Sequence, residues 1–181
     1  MIDRVLRAIR LDAKLFREAA DTPRLSGEAA IIAIVVSLLA AVGSAVGTAR
    51  PVVLLLVEWS NGLVFGWLLW ALISYLVGTV LGGKSGVGEM ARVLAYASAP
   101  RLLSLLGFIP CVGWVFRVAG WVLSLAAGVL AIRESMEFGT GRALVTAVIG
   151  WLVYIAATVT LAVVLGGALV ALGHYLPTLS Q

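Results

Sequence analysis

Charge is what this sequence has least of. Lysine, arginine, aspartate and glutamate make up 12% of its 181 residues, against 62% hydrophobic residues. Soluble domains carry about 25% charged residues, so this composition excludes an ordinary water-soluble domain and makes lipid the expected solvent. Cysteine is nearly absent. Cys111 stands alone, which rules out an internal disulfide and a cysteine metal cluster. The single histidine, His174, sits beside Tyr175 near the end of the last apolar run, and aspartate occurs only at Asp3, Asp12 and Asp21. No histidine and carboxylate cluster is available for a metal, and no serine has a histidine and acid partner. No metal, no cofactor and no catalytic constellation is expected. No polar linker or shift of composition argues for a second domain.

What the chain does have is long uncharged runs. Ala29–Ala49 lies between Glu28 and Arg50 and is long enough for a hydrocarbon core of ~30 Å. It begins too far in for a cleaved leader peptide and is expected to act as an uncleaved signal-anchor. Pro51–Val57 is apolar but too short to cross, and reads as an interfacial loop with Glu58, Trp59 and Asn61 at headgroup level. Trp59–Gly83 is the second span. Ala91–Phe108 and Val112–Ile132 are the third and fourth, joined by a tight turn at Ile109–Gly113. The fifth starts at Ala143, and its uncharged run to Gly173 exceeds the membrane thickness, which predicts tilt or a break near Gly166-Gly167. The expected fold is an all-α membrane protein, a bundle of five transmembrane helices preceded by an amphipathic N-terminal helix. The division is 1–24 for that helix, 25–176 for the spans and 177–181 for a short tail.

Met1–Ala20 carries two stripes at helical spacing. Ile2, Val5, Leu6, Ile9, Ala13 and Phe16 form the apolar one; Arg4, Arg7, Arg10, Lys14 and Arg17 form the basic one. This pattern suits a helix lying on anionic lipid headgroups; a helix packed against the bundle is the alternative. With the N-terminus inside, Arg4, Arg7, Arg10, Lys14, Arg17, Arg24, Lys84, Arg92, Arg133 and Arg142 all fall on the inner side. That is the positive-inside bias. The net charge of +4 is therefore a topological signature, and no nucleic-acid partner is expected.

Arg101 is the costly residue. Helical rise places it ~13 Å beyond Arg92, near mid-bilayer, where insertion costs about 2.5–3.5 kcal/mol and flags function. Pro100 kinks the helix just before it, with Tyr96 one turn back, and Pro110 interrupts the next turn. Two placements are open: a kinked polar pocket at depth, for which Glu58 is a conceivable counter-charge, or an arginine that snorkels to the interface. Gly78–Ser85, GTVLGGKS, matches the phosphate-loop pattern, yet it follows an apolar span rather than a strand and reads as chance. The G-x-x-x-G spacings at Gly43, Gly62 and Gly78 read first as helix packing within the bundle, and second as self-association.

The order and spacing of short motifs resemble the YIP family (Ypt/Rab-interacting membrane proteins), in its small bacterial branch. Asp12–Phe16 and Glu18–Asp21 are similar to that branch's N-terminal helix, and Arg92–Pro100, RVLAYASAP, to its tyrosine–proline signature. Phe108–Gly113, FIPCVG, is similar to its interhelical turn, and Arg133-Glu134 with Thr140–Ala143 to the loop entering its last span. The resemblance implies a five-span integral membrane protein with a cytoplasmic N-terminus. For eukaryotic members it implies vesicle trafficking through prenylated GTPases. The compact form favours a bacterial inner membrane. The leading functional reading is a non-enzymatic scaffold or adaptor, with the bilayer, a partner protein or a second copy as partners. Deleting Met1–Ala20 is then expected to leave the bundle folded. A small transporter or channel-like protein using the Pro100–Arg101 element is the alternative, and a lipid-processing enzyme a third reading without a residue set.

Overall fold

The computed structural model describes residues 1–46, 50–109 and 111–175, and all regular structure among them is helical. The expected N-terminal helix is two helices, α1 (Ile2–Ile9) and α2 (Ala13–Asp21). The break lies at Leu11, whose φ of 59° is left-handed. Asp12 then starts α2 afresh, its carboxylate accepting from the Lys14 N–H at 2.9 Å. After a 3-10 turn at Pro23–Leu25, α3 runs over Ser26–Ala45.

Pro51–Val57 is not an interfacial loop. Pro51 occupies the first turn of α4 (Pro51–Leu63), a position where its fixed φ favours helix and its missing N–H costs nothing. A π-helical segment, Val64–Leu69, joins α4 to α5 (Trp70–Val80), so the second span is a 30-residue rod, Pro51–Val80.

The expected third span is broken. It consists of α6 (Val87–Ala97) and a 3-10 segment, Ala99–Phe108. Pro100 has no N–H to donate and its ring crowds the preceding turn, so the chain leaves the α-helical ladder there. The two pieces still run antiparallel to α7 (Gly113–Met136) along its length. Ser135 meets Glu89, Ser124 meets Ala97, and Arg117 meets Gly107. α8 covers Thr140–Tyr175 and continues unbroken through Gly166-Gly167, so its excess length is not relieved by a break there.

Among the described residues, four helices are therefore long and apolar enough to cross a membrane: Pro23–Ala45, Pro51–Val80, Gly113–Met136 and Thr140–Ala157. The broken segment is sandwiched among them. Gly43 permits this, because a Cβ there would come to 2.7 Å of the Ser104 carbonyl oxygen, and Gly113 brings the start of α7 onto the Gly107 backbone. Large apolar side chains, among them Val52, Leu56, Val118 and Leu152, face outward, as lipid contact requires. The densest core lies at one end, where Leu15, Phe16, Met90, Leu94, Tyr96, Ile132 and Met136 are almost completely buried.

Candidate functional site

Two polar assemblies occupy different depths. The first locks the N-terminal helices to α6. Arg92 is 6% exposed and donates to the Ala19 carbonyl, to the Ala20 carbonyl at 2.7 Å and to Ser26 Oγ at 3.0 Å. A helix ends with unsatisfied carbonyls, and Arg92 satisfies two of α2's with a charge that suits the negative end of its dipole. One turn on, the fully buried Tyr96 donates to Glu28 Oε1 at 3.1 Å. Glu28 accepts in turn from Arg4 at 2.9 Å. Arg4 and Arg7 both reach Glu18, at 3.0 and 2.9 Å, and Arg7 also reaches Asp12 at 2.8 Å. Arg7 and Arg4 hold the Glu18 carboxyl below its usual range, and Arg7 does the same for Asp12.

Part of the apolar stripe thus faces protein: Phe16 is buried, and Val5 and Ile9 pack against the core. Leu15, Phe16 and Ala19 are buried in the core against α6 and α7. These are the contacts of the packed placement, and burying these side chains between helices also brings the basic stripe within reach of acidic partners. Arg4 and Arg7 are paired as described, and Arg17 is paired with Asp21 and Glu137. Arg10 and Lys14 remain exposed, and so do Ile2 and Leu6, at 75% and 48%. All ten basic residues assigned to one side by the positive-inside reading belong to segments that meet at this end of the bundle.

The second assembly surrounds Arg101. A Cβ at Gly66 would come to 2.8 Å of Arg101 Nη1, so the guanidinium lies against the backbone of the second span near its midpoint. Gly66 belongs to the π-helical segment, whose wider turn and lack of a side chain make room there. Arg101 stands in the wall between two cavities. One, of about 240 Å³, is polar and bordered by Glu58, Asn61, Ser104 and Arg117 as well as Arg101 and Trp121. The other, of about 190 Å³, is largely aromatic, bordered by Trp70, Trp121 and Trp151 beside Arg101. Trp121 and Trp151 stack at a tilt with centroids 6.0 Å apart. The Trp70 ring fills the space over Gly128 and Gly150 and lines the aromatic cavity. Its buried Nε1 has no hydrogen-bond partner among the described residues. At the mouth, Arg117 donates to the Gly107 carbonyl at 3.0 Å, and both Arg117 and Glu58 are exposed.

The sequence reading grouped Tyr96, Pro100 and Arg101 as one element. The structure separates them: Tyr96 belongs to the basic end, Arg101 to the cavities, and the break at Pro100 turns the chain between the two. Pro110 lies outside the described residues. Sequence shows Arg92 as one of the inner-side basic residues and the start of the RVLAYASAP motif, but not that two carbonyls of α2 meet it. Gly66 carried a signal, its spacing from Gly62, but as a packing motif rather than as room for a guanidinium. The phosphate-loop match spans the end of α5 and the turn after it, a helix C-terminus rather than a strand-fed anion cradle. Among the described residues no group of histidine, cysteine, aspartate or glutamate could hold a metal ion.

Searches among curated proteins and among solved structures give no match. The Yip1 domain, however, matches residues 12–162. The matched stretch begins at Asp12, the cap of α2, and takes in the Arg92 and Tyr96 lock, the broken third element and the Arg101 cavities. By that match, and by a fold of apolar helices long enough to span a bilayer, the chain belongs to the Yip1 family of membrane proteins.

Proposed function

We propose that this protein is a non-enzymatic membrane scaffold or adaptor, of the bacterial inner membrane, with its basic end inside the cell and α1 and α2 as its docking platform. The observation that carries the reading is the lock made by Arg92, Tyr96 and Glu28. A buried arginine and a buried tyrosine hold two short helices in one orientation over the bundle. A preorganised surface binds without first having to be ordered. That surface offers Ile2 and Leu6 beside Arg10 and Lys14, an apolar patch with a cationic rim that suits an acidic partner protein.

Deleting Met1–Ala20 is a poor test, because it uncovers the faces of α6 and α7 that α2 packs on and removes the carbonyls that Arg92 binds. Point changes on the exposed face are cleaner. Photo-crosslinking from Leu6 in native membranes is expected to capture a specific protein, and Arg10→Glu with Lys14→Glu is expected to abolish the adduct while expression and melting stay unchanged. Adducts to lipid alone at Leu6 would overturn the reading. The transport alternative draws on the polar cavity beside Arg101.

A further inference from the structure

We infer that the paired cavities at Arg101 form a binding site for a phosphodiester headgroup of single negative charge, the chemistry of an anionic phospholipid. Charge comes first. The polar cavity is bordered by two guanidiniums, Arg101 and Arg117, and one carboxylate, Glu58, a formal excess of one positive charge. One phosphodiester anion cancels it. Arginine suits that anion because its planar fork donates to two oxygens at once.

Depth comes second. Arg101 lies near the middle of the second span, where any charge is costly to hold. The low dielectric that makes this expensive also strengthens attraction to a bound anion. Glu58 shares the cavity with both arginines, and the excess of one cation over the three groups is what an added anion offsets. Asn61 and Ser104 supply neutral hydrogen-bonding groups for a hydroxylated headgroup.

Amphiphilicity comes third. Arg101 and Trp121 border both cavities, so a single ligand can place its phosphate on the polar side and apolar chain on the indoles of Trp70 and Trp151. A soluble phosphate ester would use only the polar half. The exposed Arg117 and Glu58 open that half to the surroundings, so a headgroup can enter from the membrane surface. The site shares no residue with α1 and α2, and its failure would leave the adaptor reading standing.

Native mass spectrometry of the full chain released from nanodiscs tests this, with phosphatidylglycerol and phosphatidylcholine offered in equal amounts. Retention of phosphatidylglycerol at least tenfold above phosphatidylcholine is expected. Arg101→Gln is expected to remove the preference, and Glu58→Gln, which deletes the opposing charge at an exposed position, to strengthen it. A purely structural role for Arg101 would not produce these opposite signs. Titration with glycerophosphoglycerol, the same headgroup without chains, separates the sources. Competition only at far higher concentration assigns the site to the lipid; binding of the ester with no lipid retained assigns it to a soluble phosphodiester and overturns the lipid source. Equal retention of both lipids, or no change in Arg101→Gln protein that still melts like the parent, overturns the site altogether.

Discussion

Arg92 and Arg101 are nine positions apart, and their environments differ completely. Arg92 is a buried clamp on neutral carbonyls; Arg101 borders open space. Arg92→Met keeps the length of the side chain and removes its donors, leaving the Ala19 and Ala20 carbonyls without them. Hydrogen bonds from a charged group are worth about 1.5–3 kcal/mol each. Protease cleavage within residues 1–25 is therefore expected to accelerate strongly while α7 stays protected; an unchanged cleavage rate would show that packing alone holds α2. The carboxylates give a pH dependence of known sign. Asp12 and Glu18 have folded-state pKa values below their ordinary ones, so their contribution is complete above the unfolded values and fades as pH falls through the folded ones. Hydrogen exchange of α1 and α2 should rise below about pH 4, with the spans unaffected. Protection constant down to pH 2 would mean that the ion pairs contribute nothing, as many exposed pairs do.

Among the elements, α2 and the 3-10 segment depend most on what they touch. Phe16 is fully buried, and Phe16→Ala in such a core costs about 3–5 kcal/mol. A helix as short as α2 has little stability of its own, so the expected result is release of α2 rather than a uniformly weaker protein. Loss of its amide protection, with little change in the melting of the bundle, would show it. The 3-10 segment is held by backbone approach. Gly43→Val would drive side-chain atoms into the Ser104 and Leu105 backbone, and overpacking of that kind costs typically 1–3 kcal/mol. A lower melting temperature is expected. Gly27→Val, at a position with open space around its Cβ, serves as the control.

On the scale of the whole molecule, the basic residues gather at one end and Cys111, exposed in the turn before α7, lies at the other. With the basic end inside, a membrane-impermeant maleimide added to intact cells is expected to label Cys111. Labelling only after the membrane is permeabilised would reverse the orientation. The outcome also says which leaflet can reach the Arg101 cavity.

Apolar run length and the one-sided distribution of basic residues determined by themselves that this chain is a helical membrane protein, because no other composition suits lipid and each spanning helix satisfies its own backbone. The motif order from Asp12 to Ala143 indicated the family, and Pro100 indicated a break. Tertiary structure decided where each expensive side chain went. Periodicity shows that Leu15 and Phe16 share a face, but not whether lipid or α7 covers it. Spacing puts Tyr96 and Arg101 in one segment, but the change from α-helix to 3-10 helix at Ala99 rotates them apart. Whether a cation within the bundle clamps another helix or borders a cavity depends on partners distant in sequence: Ala19 for Arg92, Gly66 for Arg101. Only the packed bundle brings those together.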